Sequence, residues 1–198
     1  MENYRNFRCN SRVVPFTGTQ GNAETNFQVV GMDSEDFNPT RLKELANSLA
    51  GENRNLFKQL KRMDARKVDE LFHTAHAEEY EKFDCLACAN CCRTISPIIT
   101  YNDVERIAKA LRLKPSVVVE KYLEVDSDGD YVFRSAPCPF ILTDNYCSIY
   151  DSRPKACREY PHTDRKRMHQ IFSITQKNIS ICPIVFNVVE RIKKEIGQ

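Results

Sequence analysis

Cys85-Leu86-Ala87-Cys88-Ala89-Asn90-Cys91-Cys92 decides how this chain of 198 residues is read. Two-residue spacers let a tight turn present successive sulfurs to one centre. Soft thiolates prefer zinc, copper(I) or iron–sulfur clusters to hard cations. Free cysteine often behaves as a small buried hydrophobe, but four within eight residues argue for ligation. Cys85, Cys88 and Cys91 reproduce the C-x2-C-x2-C run that cradles a [4Fe–4S] cluster. The ferredoxin pattern then continues C-x3-C-P, whereas here Cys92 follows at once. Cys138-Pro139 and Cys182-Pro183 are both Cys-Pro pairs able to complete a cluster from a distance. Structural zinc uses four such ligands, often as two C-x2-C pairs, and only one clean half of that pattern is present. Spacing tilts the reading toward iron–sulfur, with zinc as the rival.

Working outward, the remaining cysteines are Cys9, Cys147 and Cys157. Cys9 stands alone far upstream and is read as incidental, so the expected ligands are Cys85, Cys88, Cys91, Cys92, Cys138, Cys147, Cys157 and Cys182. Adjacent side chains diverge, by about 100° around a helix and to opposite faces of a strand. Cys91 and Cys92 are therefore expected not to share one metal atom. A helical 85–92 would put Cys85, Cys88 and Cys92 on one face; a ferredoxin-like loop would gather Cys85, Cys88 and Cys91 instead. Eight cysteines make two four-thiolate centres arithmetically possible.

The first residues carry no apolar stretch behind their charges, and no run approaches the roughly 18 apolar residues that span a bilayer. A cytoplasmic protein, with no membrane partner, is the expectation. Thiols stay reduced there, which favours metal ligands over disulfides. Lys and Arg total 29 against 27 acids, a balance that points to no particular partner. From Arg153 onward ten basic residues face four acidic ones. That excess is read chiefly as a solvated face, with a protein partner possible and nucleic acid disfavoured.

The pattern predicts an α+β fold, mostly α. Residues 1–39 carry turn formers without sustained periodicity and are read as an irregular arm, with a short strand at Val29–Val30. Leu42, Leu45, Ala46 and Leu49 fall at i, i+3, i+4, i+7. Gly51 is placed as a break, and Leu56, Phe57 and Leu60 resume the stripe. Val68, Leu71, Phe72 and Ala75 repeat it. A helical hairpin over 40–82, built from helices near 40–61 and 64–83, is the economical reading. A metal-stapled cysteine domain over 83–198 follows. Within it, Asn102 is placed as an N-cap with Glu105 three residues on, and Pro115 opens a short helix. Asp126-Ser127-Asp128-Gly129-Asp130 turns between Val125 and Tyr131-Val132-Phe133 as a small hairpin. Ile171–Thr175 is assigned a short strand, Arg153-Pro154 a helical turn, and Pro183 the last helix.

The cysteine region resembles the YkgJ-like CxxCxxCC cysteine-cluster family, described as a zinc- or iron-chelating domain. Its signature is a C-x2-C run followed a few residues later by CC, then Cys-Pro-Phe, then C-x-I-Y-x-x-R-P-x-x-C-R-x-aromatic-Pro. The chain supplies the opening run, then Cys138-Pro139-Phe140, then Cys147, Ile149, Tyr150, Arg153, Pro154, Cys157, Arg158, Tyr160 and Pro161. Cys182-Pro183 fills the place of a later Cys-Pro. Where the family often has glycine shortly before the Cys147 position, Asn145-Tyr146 stands here. The match covers about 83–185. It implies metal binding and little about a reaction. A flagellin lysine methylase is similar in its cysteine region, so a protein-modifying enzyme is an alternative, although no glycine-rich cofactor loop is found. Arg153 and Arg158 are assigned to the cofactor, offsetting the negative charge of a thiolate-bound centre.

Weaker motifs are set aside. Glu70, His73, His76 and Glu79 have helical spacing but no second copy of the di-iron motif, so a solvated polar face is expected. His162 is read as a surface residue before it is read as a ligand. Asp126–Asp130 lacks the EF-hand glycine and glutamate positions.

Overall fold

The computed structural model describes residues 37–197; the strand expected at Val29–Val30 and Cys9 lie outside them. Helix α1, Pro39–Ser48, starts where the Asn38 side chain accepts from the amides of Thr40 and Arg41. Proline at its first position has no amide to orphan. Helix α2, Ala50–Leu60, follows after Leu49 at φ −90°, ψ 6°. The break thus falls at Leu49, and Gly51 lies within α2. Helix α3, Ala65–Tyr80, is capped by Asp64 through the amides of Arg66 and Lys67.

Two one-turn helices, α4 (Cys85–Cys88) and α5 (Asn90–Thr94), carry the cysteine run. Helix α6, Tyr101–Leu111, is capped two residues earlier than Asn102. Thr100 and Asp103 form a capping box, each side chain holding the other's amide. Helix α7, Pro115–Tyr122, leads into strands β1 (Leu123–Val125) and β2 (Tyr131–Phe133), antiparallel with Leu123 opposite Phe133. Asp126 Oδ1 takes the amides of Asp128 and Asp130 and shapes the hairpin turn. Helix α8 covers Lys155–Arg158. The segment expected as a strand at Ile171–Thr175 is helical: a 3-10 turn over Met168–Ile171 runs into α9, Phe172–Asn178. The buried residues there, Met168, Phe172, Thr175 and Ile179, recur every three or four positions, so tertiary burial overrides β-branched propensity. Helix α10, Pro183–Glu195, closes the chain.

The fold is α+β and mostly α, with one two-stranded sheet among the described residues. Its apolar residues form two clusters. The first gathers Leu42, Phe57, Phe72, Phe172, Phe186 and their neighbours, and α3 lies chiefly against α10. Ile184, Val185, Val188, Val189 and Ile192 are at most 1% exposed, so α10 is the central element of this cluster. The second cluster joins α6, α7 and the hairpin through Ile107, Val118, Leu123, Phe133, Phe140 and Ile149.

Asp103 connects the second cluster to α8. Its side chain is 1% exposed and accepts from the Thr100 amide and hydroxyl at 2.8 and 2.6 Å, from the Lys155 amide at 2.9 Å, and from Arg106. Burial alone would raise its pKa, but these donors outweigh it and hold the carboxyl below the ordinary value. Replacing Asp103 by Ala strands several of these donors. The expected cost is about 3 kcal/mol, read as a lower urea midpoint with an unchanged denaturant slope.

Candidate metal centre

The decisive segment is built by one residue. Asp84 accepts the Leu86 amide at 2.8 Å and starts α4. The helix then stops because Ala89, buried, takes the left-handed conformation at φ 46°, ψ 15° while its amide closes on the Cys85 carbonyl at 2.8 Å. A continuous helix would have grouped Cys92 with Cys85 and Cys88. The break at Ala89 re-aims the next turn, so that Cys91 is the residue gathered with Cys182 and Cys85. Cys92 is electrostatically coupled to Cys138, Cys147 and Cys157 instead. The two vicinal sulfurs remain 3.9 Å apart.

Cys85, Cys88, Cys91 and Cys182 form one group. The Asn90 amide nitrogen donates to the Ile181 carbonyl at 2.7 Å, which fastens α5 to the residue before Cys182. Cys182 is the N-cap of α10, and the amides of Ile184 and Val185 point at its sulfur. Cys88 similarly receives the Asn90 amide. Cys88, Cys182 and Tyr160 pack on the first apolar cluster. The buried Tyr160 hydroxyl lacks a close hydrogen-bond partner and lies beside the Cys182 thiol, at the edge of hydrogen-bond reach.

Cys92, Cys138, Cys147 and Cys157 form the other. The Cys138 amide donates to the Cys92 carbonyl at 2.8 Å, and an isolated bridge pairs Ile141 with Cys147. Amides of Phe140 and Ile141 point at the Cys138 sulfur, and that of Ile149 at the Cys147 sulfur. Cys138 and Cys147 pack on the second apolar cluster. The two Cys-Pro pairs therefore work alike. Proline removes one amide and bends the chain, and the next two amides turn onto the sulfur. Such N–H groups orient a ligating thiolate and stabilise its charge.

Arg153 stands over the Tyr150 ring, its guanidinium carbon 3.5 Å from the centroid, with Nε on the Tyr150 carbonyl at 2.8 Å. Its charge favours the thiolate form of Cys92, Cys147 and Cys157. Arg158 donates to the Arg153 carbonyl at 2.6 Å and so holds that turn rather than a sulfur. Arg93, which the sequence reading passed over, also favours the Cys92 thiolate and bonds Asn145 Oδ1 at 2.5 Å.

No disulfide joins any of the eight described cysteines. Burial pushes Cys88 and Cys138 up to about 11, and Cys157 and Cys182 up to about 12. Within the vicinal pair, the hydrogen bond between the two sulfurs lowers Cys92 and raises Cys91. Among the described residues, no group of three or more His, Cys, Asp or Glu side chains is already closed to metal-ligand geometry. Cys91 and Cys92 bring their sulfurs to 3.9 Å from each other, and ligation would require the thiols to close to about 2.3 Å from a metal. The donor set is all thiolate, which suits zinc and iron.

Of the residues expected on a solvated face, Glu70 is exposed and His73 and His76 are half-buried. His73 meets the Arg165 carbonyl at 2.9 Å, and His76 meets the Thr163 hydroxyl at 2.7 Å while stacking on Tyr80. Glu79 is buried with Lys82 and Arg191 beside it. His162, at φ 66°, sets its ring edge-on to Tyr160.

The family model CxxCxxCC, described as a zinc- or iron-chelating domain, matches residues 84–182, half of the chain. No curated protein and no solved structure matches it.

Asn145 occupies the turn before Cys147 at φ 68°, a conformation asparagine tolerates better than other non-glycine residues. Its side chain also donates to the Leu86 carbonyl at 2.8 Å, linking that turn to α4. Asn145→Gly keeps the turn and loses the two bonds, at an expected cost of about 1–2 kcal/mol. Asn145→Ala adds about 1 kcal/mol of left-handed strain. Melting temperatures should fall in the order wild type, Gly, Ala; equal values for the two variants would remove the backbone requirement.

Proposed function

The chain belongs to the CxxCxxCC family of zinc- or iron-chelating domains, and we propose that it holds iron as a thiolate-bound iron–sulfur cluster. The work assigned to it is redox transfer, sensing or metal handling. The observation that supports this reading is the electrostatic coupling of Cys85, Cys88 and Cys91 to Cys182, together with the Asn90 bond to the Ile181 carbonyl beside it. That arrangement supplies the C-x2-C-x2-C run with a remote Cys-Pro as its fourth ligand, the donor pattern of cluster proteins. Bound there, a cluster would supply one-electron chemistry. The chain's own contribution is to orient four sulfurs, direct amides at them and limit water around Cys182. On the other side of the segment, Arg153 and Arg93 would offset thiolate charge, with Arg158 positioning Arg153.

A structural-zinc reading has its own support. Cys88 and Cys182 sit against one apolar cluster and Cys138 and Cys147 against the other, the place of an ion that orders a fold. In that case the basic run after Arg153 becomes a surface for an acidic protein partner.

Metal analysis with an absorption spectrum, on anaerobically purified protein, separates the two. Iron with acid-labile sulfide and broad visible thiolate-to-iron absorption is the expected outcome; colourless protein carrying zinc would replace it with the second reading. Under either, verified metal removal should lower the melting temperature, because ligand ordering is coupled to folding. An unchanged melt would show that the metal has no structural share.

A further inference from the structure

Cys91 and Cys92 are neighbours in sequence with sulfurs 3.9 Å apart, a spacing that two ligands of one ion would also show. Their other neighbours decide the matter. Cys91 is electrostatically coupled to Cys85 and Cys182, and Cys182 in turn to Cys85 and Cys88. Cys157 is coupled to Cys92, Cys138 and Cys147, and Cys138 to Cys92 and Cys147. Of these electrostatic couplings, only those of Cys92 with Cys91 and Cys88 cross from one set to the other. The hydrogen bonds agree, since Asn90 bonds the Ile181 carbonyl beside Cys182 while the Cys138 amide bonds the Cys92 carbonyl. The packing divides the same way. Cys88 and Cys182 rest on the cluster built around α10, and Cys138 and Cys147 on the cluster of α6, α7 and the hairpin. Each set holds one Cys-Pro turn with two amides aimed at its sulfur.

We infer that the chain has two separate four-thiolate metal centres, one of Cys85, Cys88, Cys91 and Cys182 and one of Cys92, Cys138, Cys147 and Cys157, joined through the Cys91–Cys92 peptide. This rests on the metal-binding reading above and adds to it the number of centres and their ligands. With ligand bonds of about 2.3 Å on sulfurs 3.9 Å apart, the two nearest metal atoms stand at most about 8.5 Å from each other. The centres differ in surroundings. The first borders Tyr160 and the apolar core, whereas the second borders Arg153 and Arg93. A change of charge is therefore better tolerated at the second.

The test counts metal without relying on any activity. The full chain is reconstituted anaerobically with zinc alone and weighed by native mass spectrometry. Two zinc ions per wild-type chain are expected, one in Cys182→Ser, one in Cys157→Ser and none in the double variant. A single ion in the wild type, or loss of both ions from each single variant, overturns the partition and leaves metal binding standing. Two ions retained in either variant overturn its ligand set. A wild-type chain that takes up neither zinc nor iron overturns the functional reading itself. Titration of the wild type with cobalt(II) guards against variants that fail to fold. Tetrahedral thiolate bands should rise to two equivalents and then stop; a stop at one overturns the proposal.

Discussion

Two consecutive side chains cannot easily reach one point, and the whole site is arranged around that restriction at Cys91 and Cys92. The chain meets it with a single left-handed residue, Ala89, which separates two one-turn helices. Everything beyond depends on which way the second turn then points. Asn90 ties it to Ile181, one residue before Cys182, and the Cys92 carbonyl receives the amide of Cys138. The segment is thus sewn on one side to the start of α10 and on the other to the loop after the hairpin. A left-handed alanine costs roughly 1–2 kcal/mol. The bonds on both flanks, and burial of Ala89 itself, are what over-determine it.

The energetics of the thiols explain why such a site needs a metal. Burial favours the neutral form, and it holds Cys157 and Cys182 up to about 12. Clustered thiolates without a cation would repel one another, the more so where they are shielded from water as Cys182 is. A metal reverses that sign, since each thiol can release its proton to become a ligand. The amides aimed at Cys88, Cys138, Cys147 and Cys182 contribute in the same direction at no further cost in ordering, because the turns already fix them. Arg153 acts likewise, and its orientation is shared among the Tyr150 ring, the Tyr150 carbonyl and the bond from Arg158 to its own carbonyl.

Much of this was legible in the residues, and the illegible parts share a cause. The stripes at Leu42–Leu49, Val68–Ala75 and Val185–Ile192 announced helices because one face of each is buried. The hairpin was announced by its aspartate and glycine turn. Ile171–Thr175 was misread because isolated β-branched residues resemble a strand, while its partners Met168 and Ile179 lie outside the window. The cap of α6 was displaced from Asn102 to Thr100 because both positions start an acceptable motif, and burial of Asp103 decides between them. All eight cysteines stood out by count and spacing. Their neighbours in space did not, since the direction taken by Cys91 depends on an alanine in a conformation that no residue type advertises. The pairing of Arg93 with Asn145 was missed because they meet across 52 positions, and only the fold brings them together.

The position of the cysteine segment between two apolar clusters gives the metal a mechanical role besides any chemical one. The first closes on α10, whose N-cap is Cys182; the second closes on a loop that carries Cys138 and Cys147. Direct ties between the sides are few and polar, among them Asn145 to Leu86 and Cys138 to Cys92. Each polar tie contributes on the order of 1 kcal/mol, whereas thiolate coordination of a structural ion contributes about 10 kcal/mol or more. Coordination at Cys91 on one side and Cys92 on the other would therefore dominate the coupling between the two halves. Oxidation or loss of metal at either sulfur would then be felt as a change in how the α10 cluster and the hairpin cluster are held together, which is the physical form a sensing role would take in this fold.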